Sequence, residues 1–171
     1  TVLLSLANSG VYAVDGMIIS MAFFFGGAAQ TFTASMAFQK GDTFGVTAFG
    51  GYSFLWWSFG LINLGATLKW WQVSSKGIGW YLIIWAIFTF FLLVASTVAP
   101  RILTLILLCT LVLLLSLGVG ALGNSSGLSK FGGYEGILTG GLAMYMAFAA
   151  LLNEMWGKTV LPIDRKSTRL N

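Results

Sequence analysis

Five stretches of the chain, residues 16–38, 44–67, 77–99, 102–122 and 136–156, are apolar almost throughout. Each is long enough to cross a bilayer as a helix, which takes about 20 residues. None alternates apolar and polar positions as a barrel strand does, so the pattern predicts helices. Polar positions gather between the stretches, at Gln39-Lys40-Gly41-Asp42, from Lys69 to Lys76, at Pro100-Arg101, and from Gly123 to Lys130. Pro100 is predicted to end one helix and Arg101 to mark a lipid–water boundary. Trp70, Trp71 and Trp156 fall at predicted span ends, where indole rings settle at headgroup level. A sixth apolar piece, residues 1–12, is too short to span. It lacks the basic lead and small-residue cleavage site of a signal peptide, so it is expected to be part of a first helix whose N-terminal half is missing from this sequence.

Composition supports the same picture. Hydrophobic residues make up 57% and charged residues 8%, against roughly 45–50% and about 25% in a soluble globular domain. So few charges cannot cover a water-facing surface. The fold class predicted is all-α integral membrane, a single transmembrane domain over residues 1–163 embedded in the lipid bilayer, multi-pass. Taking the N-terminus as cytoplasmic, Lys40, Arg101 and Lys158 lie inside and Lys69, Lys76 and Lys130 outside, which leaves orientation open.

The formal net charge is +4. Residues 164–171 carry three bases and one acid and resemble one frame of a sequencing adapter, so they are expected to be a non-native tail. The rest has no basic stripe for nucleic acid. There is no histidine and one cysteine, Cys109. That excludes Ser-His-Asp and Cys-His catalysis, His-bearing zinc sites and an internal disulfide. No metal, cofactor or catalytic residue is expected, and the protein is not expected to be an enzyme.

Several polar groups inside the spans are candidates for function. Gln30 lies deep in the second span, with Gly26 and Thr33 on its helical face. Its amide needs partners in hydrocarbon, as interhelical glue or facing a water-filled path. Thr43 and Thr47 open the third span, which is expected to bend toward Gly50-Gly51-Tyr52-Ser53. Tyr52, Trp56, Phe59 and Asn63 share one side of it. Tyr52 can close a pore with its ring or bond a neighbouring helix. In the last span Gly132, Gly136, Gly140, Ala143, Ala147, Ala150 and Glu154 form one face of small residues ending in an acid. Gly136, Gly140, Ala143 and Ala147 are expected to pack helices closely, or else to widen a pore. Glu154 is an interfacial or pore-mouth acid. The centre of no predicted span holds Lys, Arg, Asp or Glu, so the path is expected to be neutral.

Asn8-Ser9-Gly10 through Val14-Asp15-Gly16, Phe25-Gly26-Gly27-Ala28-Ala29-Gln30, and Lys40-Gly41-Asp42-Thr43-Phe44-Gly45-Val46-Thr47-Ala48-Phe49 occur in this order. Tyr52-Ser53-Phe54-Leu55-Trp56 and a closing segment from Leu152-Asn153-Glu154 to Pro162-Ile163 follow. Together they resemble the acetate uptake transporter family, the succinate–acetate permease group. The family's Asn-Pro-Ala-Pro-Leu-Gly-Leu segment is absent here, which fits the expected N-terminal truncation. Its Tyr-Gly-Ser-Phe-Trp order is Tyr-Ser-Phe-Leu-Trp here, so the pore-facing set after Tyr52 stays open. The resemblance implies six transmembrane helices per protomer, a homo-hexamer in the cell membrane, and a path through each protomer. It maps a constriction onto Tyr52 and onto Leu111 or a neighbour. Gln30, Thr47, Phe49, Asn153 and Glu154 complete the expected path. The function implied is transport of acetate and related monocarboxylates or succinate, with protons. An ammonia or ammonium channel and a non-transporting membrane scaffold or sensor are the alternatives.

Overall fold

The structure is a computed structural model and describes residues 1–163; the expected non-native tail, residues 164–171, lies outside the described residues. Those residues are helical, with no strand among them. They fall into two compact units, one Tyr12–Ile78 and the other Thr1–Val11 together with the chain from Gly79 onward.

In the unit Tyr12–Ile78, α2 (Gly16–Met21) runs into a π-helical stretch (Ala22–Ala29) and then α3 (Gln30–Gln39), giving one continuous span of 24 residues. The side chain of Asp15 accepts from the backbone N–H groups of Met17 and Ile18 and so caps α2. Gly41, at φ +69°, turns the chain back after α3. Asp42 caps α4 (Thr43–Thr67) by accepting from Gly45 N at 2.9 Å. α4 packs on α3 and on the π-helical stretch. It continues through Gly50-Gly51 as helix. Beyond it, Trp71 lies against Gly65 and donates its indole N–H to Ile62 O at 3.3 Å.

In the other unit, α1 (Val2–Asn8) and α6 (Arg101–Leu122) both pack on α7 (Ser126–Met155). α5 (Ser75–Ala95) approaches α6 where Gly79 faces Leu122 and the carbonyl of Gly118. A short 3-10 turn, Ser96–Val98, closes α5. Thr104 Oγ1 donates to Ser96 O at 2.8 Å and fixes the corner at Pro100, after which α6 begins.

Four helical segments are long and apolar enough to cross a membrane: Gly16–Gln39, Ser75–Val98, Arg101–Leu122 and Ser126–Met155. The sequence pattern predicts five. The difference is α4, whose 25 residues suffice in length but include many Gly, Ser, Thr and Trp residues and one Asn. A correction concerns α7. It begins at Ser126, capped by Ser125, and not at residue 136. The pattern leaves Gly132 and Gly133 ahead of the span, yet they and Gly136 are each buried against a neighbour: Leu117 of α6, the Ser9 backbone and Ser5 of α1, respectively. That packing offsets their poor helix propensity, about 1 kcal/mol each. With that earlier start Glu135, which the sequence pattern leaves just outside the last span, lies within α7.

Candidate functional site

The π-helical stretch sets the geometry around Gln30. The glycines Gly26 and Gly27 lie under the indoles of Trp56 and Trp57, leaving no room for a Cβ; at Gly27 one would sit 2.8 Å from Trp57 Cε2. π-helical turns recur at functional sites because they re-aim the residues that follow. Thr31 is the first of these with a partner across the unit. Its Oγ1 donates to Gly27 O at 3.0 Å, and it lies 2.6 Å from Ser53 Oγ of α4 and 3.4 Å from the indole nitrogen of Trp57. Ser53 is fully buried. Gln30, half-buried at the start of α3, has its Oε1 buried without a hydrogen-bond partner among the described residues.

A groove between α3 and α4 is lined by Thr31, Ser35, Gln39, Gly50, Ser53 and Phe54, among others. Its polar groups are hydroxyls and an amide. Such groups can hold a carboxylate by hydrogen bonds but cannot neutralise it. Tyr52 is half-buried on α4 beside Ser53. Thr47 is exposed and donates its hydroxyl to Thr43 O at 2.8 Å, and Phe49 is 42% exposed. Gln30, Thr47, Phe49 and Tyr52 thus belong to one unit.

The remaining predicted residues belong to the other. Leu111 is half-buried in the middle of α6. Glu154 is exposed at the C-terminal end of α7. Asn153, one residue earlier, holds down the chain that follows α7. Its Oδ1 accepts from Val160 N at 2.6 Å and Leu161 N at 3.0 Å, and its Nδ2 donates to Leu161 O at 2.8 Å. The small-residue face divides. Gly136 lies against Ser5 and Leu113, and Gly140 against Val2, whereas Ala143 and Ala147 are exposed on this single chain.

Sequence reasoning missed the Thr31–Ser53 pair and Glu135. The hydroxyl pair is 22 residues apart and needs the tertiary fold to be seen, although two hydroxyls in apolar spans were a usable signal. Glu135 is flanked by Gly132-Gly133 and Gly136, and glycine density hid the helix around it.

Residues 1–163 match the family described as GPR1/FUN34/yaaH. The chain is 36% identical over 164 residues to the succinate-acetate/proton symporter SatP of Escherichia coli, covering 95% of this chain and 87% of that one. It is 35% identical over 170 residues to an uncharacterized protein of Methanothermobacter thermautotrophicus, covering 95% and 83%. It is 29% identical to ammonia transport outward protein 3 of Saccharomyces cerevisiae, covering 88% of this chain and 57% of that protein. Among solved structures, that of the bacterial acetate channel SatP superposes with a TM-score of 0.92 at 36% identity, covering 95% of this chain and 90% of that one.

Proposed function

This chain belongs to the GPR1/FUN34/yaaH family, and from that premise we propose that it carries acetate, related small monocarboxylates and succinate across the cell membrane together with protons. The observation that carries the reading is the 0.92 superposition on an acetate channel at 36% identity, together with a groove of neutral donors in the unit Tyr12–Ile78. In this reading Tyr52 and Leu111 form the constriction, and Gln30, Thr47, Phe49, Asn153 and Glu154 complete the path. Six helical segments per protomer, α1 with the five long ones, assemble as a hexamer. The exposed Ala143 and Ala147 suit close packing between copies.

Proton coupling follows from the charges available. A bare carboxylate in a low-dielectric constriction loses its hydration, which costs several kcal/mol unless a cation pairs with it. The polar groups named in the α3–α4 groove, Thr31, Ser35, Gln39 and Ser53, are neutral. Travel with a proton removes that cost.

A second reading, an ammonia or ammonium channel, rests on the name of the yeast relative at 29% identity. Uptake of labelled acetate into proteoliposomes, with ammonium release followed in parallel, separates the two. The proposal expects acetate uptake above protein-free vesicles and competition by succinate. Ammonium flux without acetate uptake would overturn it.

A further inference from the structure

We propose that Glu135 is the group on the protein that takes up and releases the transported proton, an inference that rests on the proton-coupled reading above. Its placement carries the argument. It is the tenth residue of the 30-residue α7, and it lies beside Cys109, the ninth of 22 residues in α6. Cys109 is about 12 Å along α6 from Arg101 at 1.5 Å per residue, so the carboxyl group sits well inside the span. An ionisable group at such depth marks a proton or substrate pathway by default, because it is costly to hold there.

The surroundings agree. Glu135 shares a helical face with Gly132 and Thr139, both buried, while Phe131, Tyr134 and Leu138 on other faces are exposed. Glu135 is itself half-buried and lies on the packed side of α7. Oε1 accepts the Thr139 hydroxyl at 3.0 Å. Oε2 is buried and accepts from no N–H or O–H group among the described residues; the thiol of Cys109, a weak donor, lies against the carboxyl group. A carboxylate there would have only the Thr139 hydroxyl and the weak Cys109 thiol to replace its hydration, whereas a carboxylic acid carries no charge to solvate.

No cation is at hand. On α6 the facing titratable group is Cys109, and Arg101 is eight residues away at the helix start. α1 carries no ionisable side chain and presents Ser5 and Ser9, with the Thr1 amino group at its start. On α7 the other charges are Lys130, five residues before, and Glu154, nineteen after. The proton step is simple. An O–H bond forms at Oε2 with a proton from water or from the substrate acid on one side. It breaks to water or substrate on the other.

The test compares the parent with Glu135→Gln in proteoliposomes holding an entrapped pH indicator. Acetate-evoked proton uptake should be lost in Glu135→Gln, retained in part in Glu135→Asp, and acetate exchange at equal concentrations should persist in both. Undiminished proton uptake in Glu135→Gln overturns the assignment while leaving proton coupling intact. No acetate-evoked proton uptake in the parent overturns the coupling itself, and the assignment with it. A measurement on the parent guards against a variant that fails to fold. A hydrophobic carbodiimide reacts with protonated buried carboxyls, so mass spectrometry should find Glu135 modified, faster at about pH 6 than at about pH 8. Absence of that modification at either pH also overturns the assignment.

Discussion

At the residue scale, the helices hold several polar groups away from water. Thr31 and Ser53 satisfy each other, and Gln30 Oε1 and Glu135 Oε2 accept from no N–H or O–H group among the described residues. Buried polar atoms without partners are few in folded proteins, and each calls for an explanation in chemistry. Tyr52, beside Ser53, is proposed as part of the constriction. Tyr52→Ala removes the ring there and should raise succinate uptake relative to acetate; an unchanged ratio at equal folded protein places the constriction elsewhere. Sequence alone singled out Gln30 and Tyr52, because an amide and a phenol inside apolar runs stand out. It missed Thr31, since a threonine in a helix ordinarily returns its hydroxyl to its own backbone, as this one does to Gly27. It did not separate Asn153 from Glu154 either. Their neighbouring numbers hide that the first is bonded to the chain after α7 and the second is exposed.

At the element scale, glycine decides which helices touch. The hydrophobic pattern placed the long helices because about 20 apolar residues in lipid have little choice but to satisfy their backbone internally. It misplaced the start of α7 because glycine carries two opposite meanings. In water it breaks a helix; in lipid it lets one helix approach another. The π-helical turn over Ala22–Ala29 was illegible for a related reason. The indoles of Trp56 and Trp57 press on Gly26 and Gly27 only once α4 is in place. A substitution distinguishes packing glycines from idle ones. A Cβ at Gly133 would fall on the Asn8–Ser9 backbone of α1, which cannot move aside as a flexible side chain can, while one at Gly141 would meet nothing within 4 Å. Gly133→Ala should therefore lose about 1–3 kcal/mol through overpacking. Gly141→Ala should hold or gain up to about 1 kcal/mol from helix propensity. Thermal melts in detergent read the difference, and equal melting of the two variants would show that α1 does not dock on α7 in this way.

At the scale of the whole molecule, the family and the fold are the firm ground. A match over residues 1–163 and a superposition at TM-score 0.92 leave little freedom in the backbone. The proposed path is assembled from neutral donors and one acid within a span. The most direct test of that account is the pH dependence of labelled acetate uptake into proteoliposomes, corrected for protein-free vesicles. If substrate and proton move together, uptake rises as external pH falls from about 7 to about 5, following the growing protonated fraction of a carboxylic acid, and a protonophore suppresses accumulation. Uptake that is flat across this range, with acetate currents following membrane potential alone, would identify an anion channel and contradict the account.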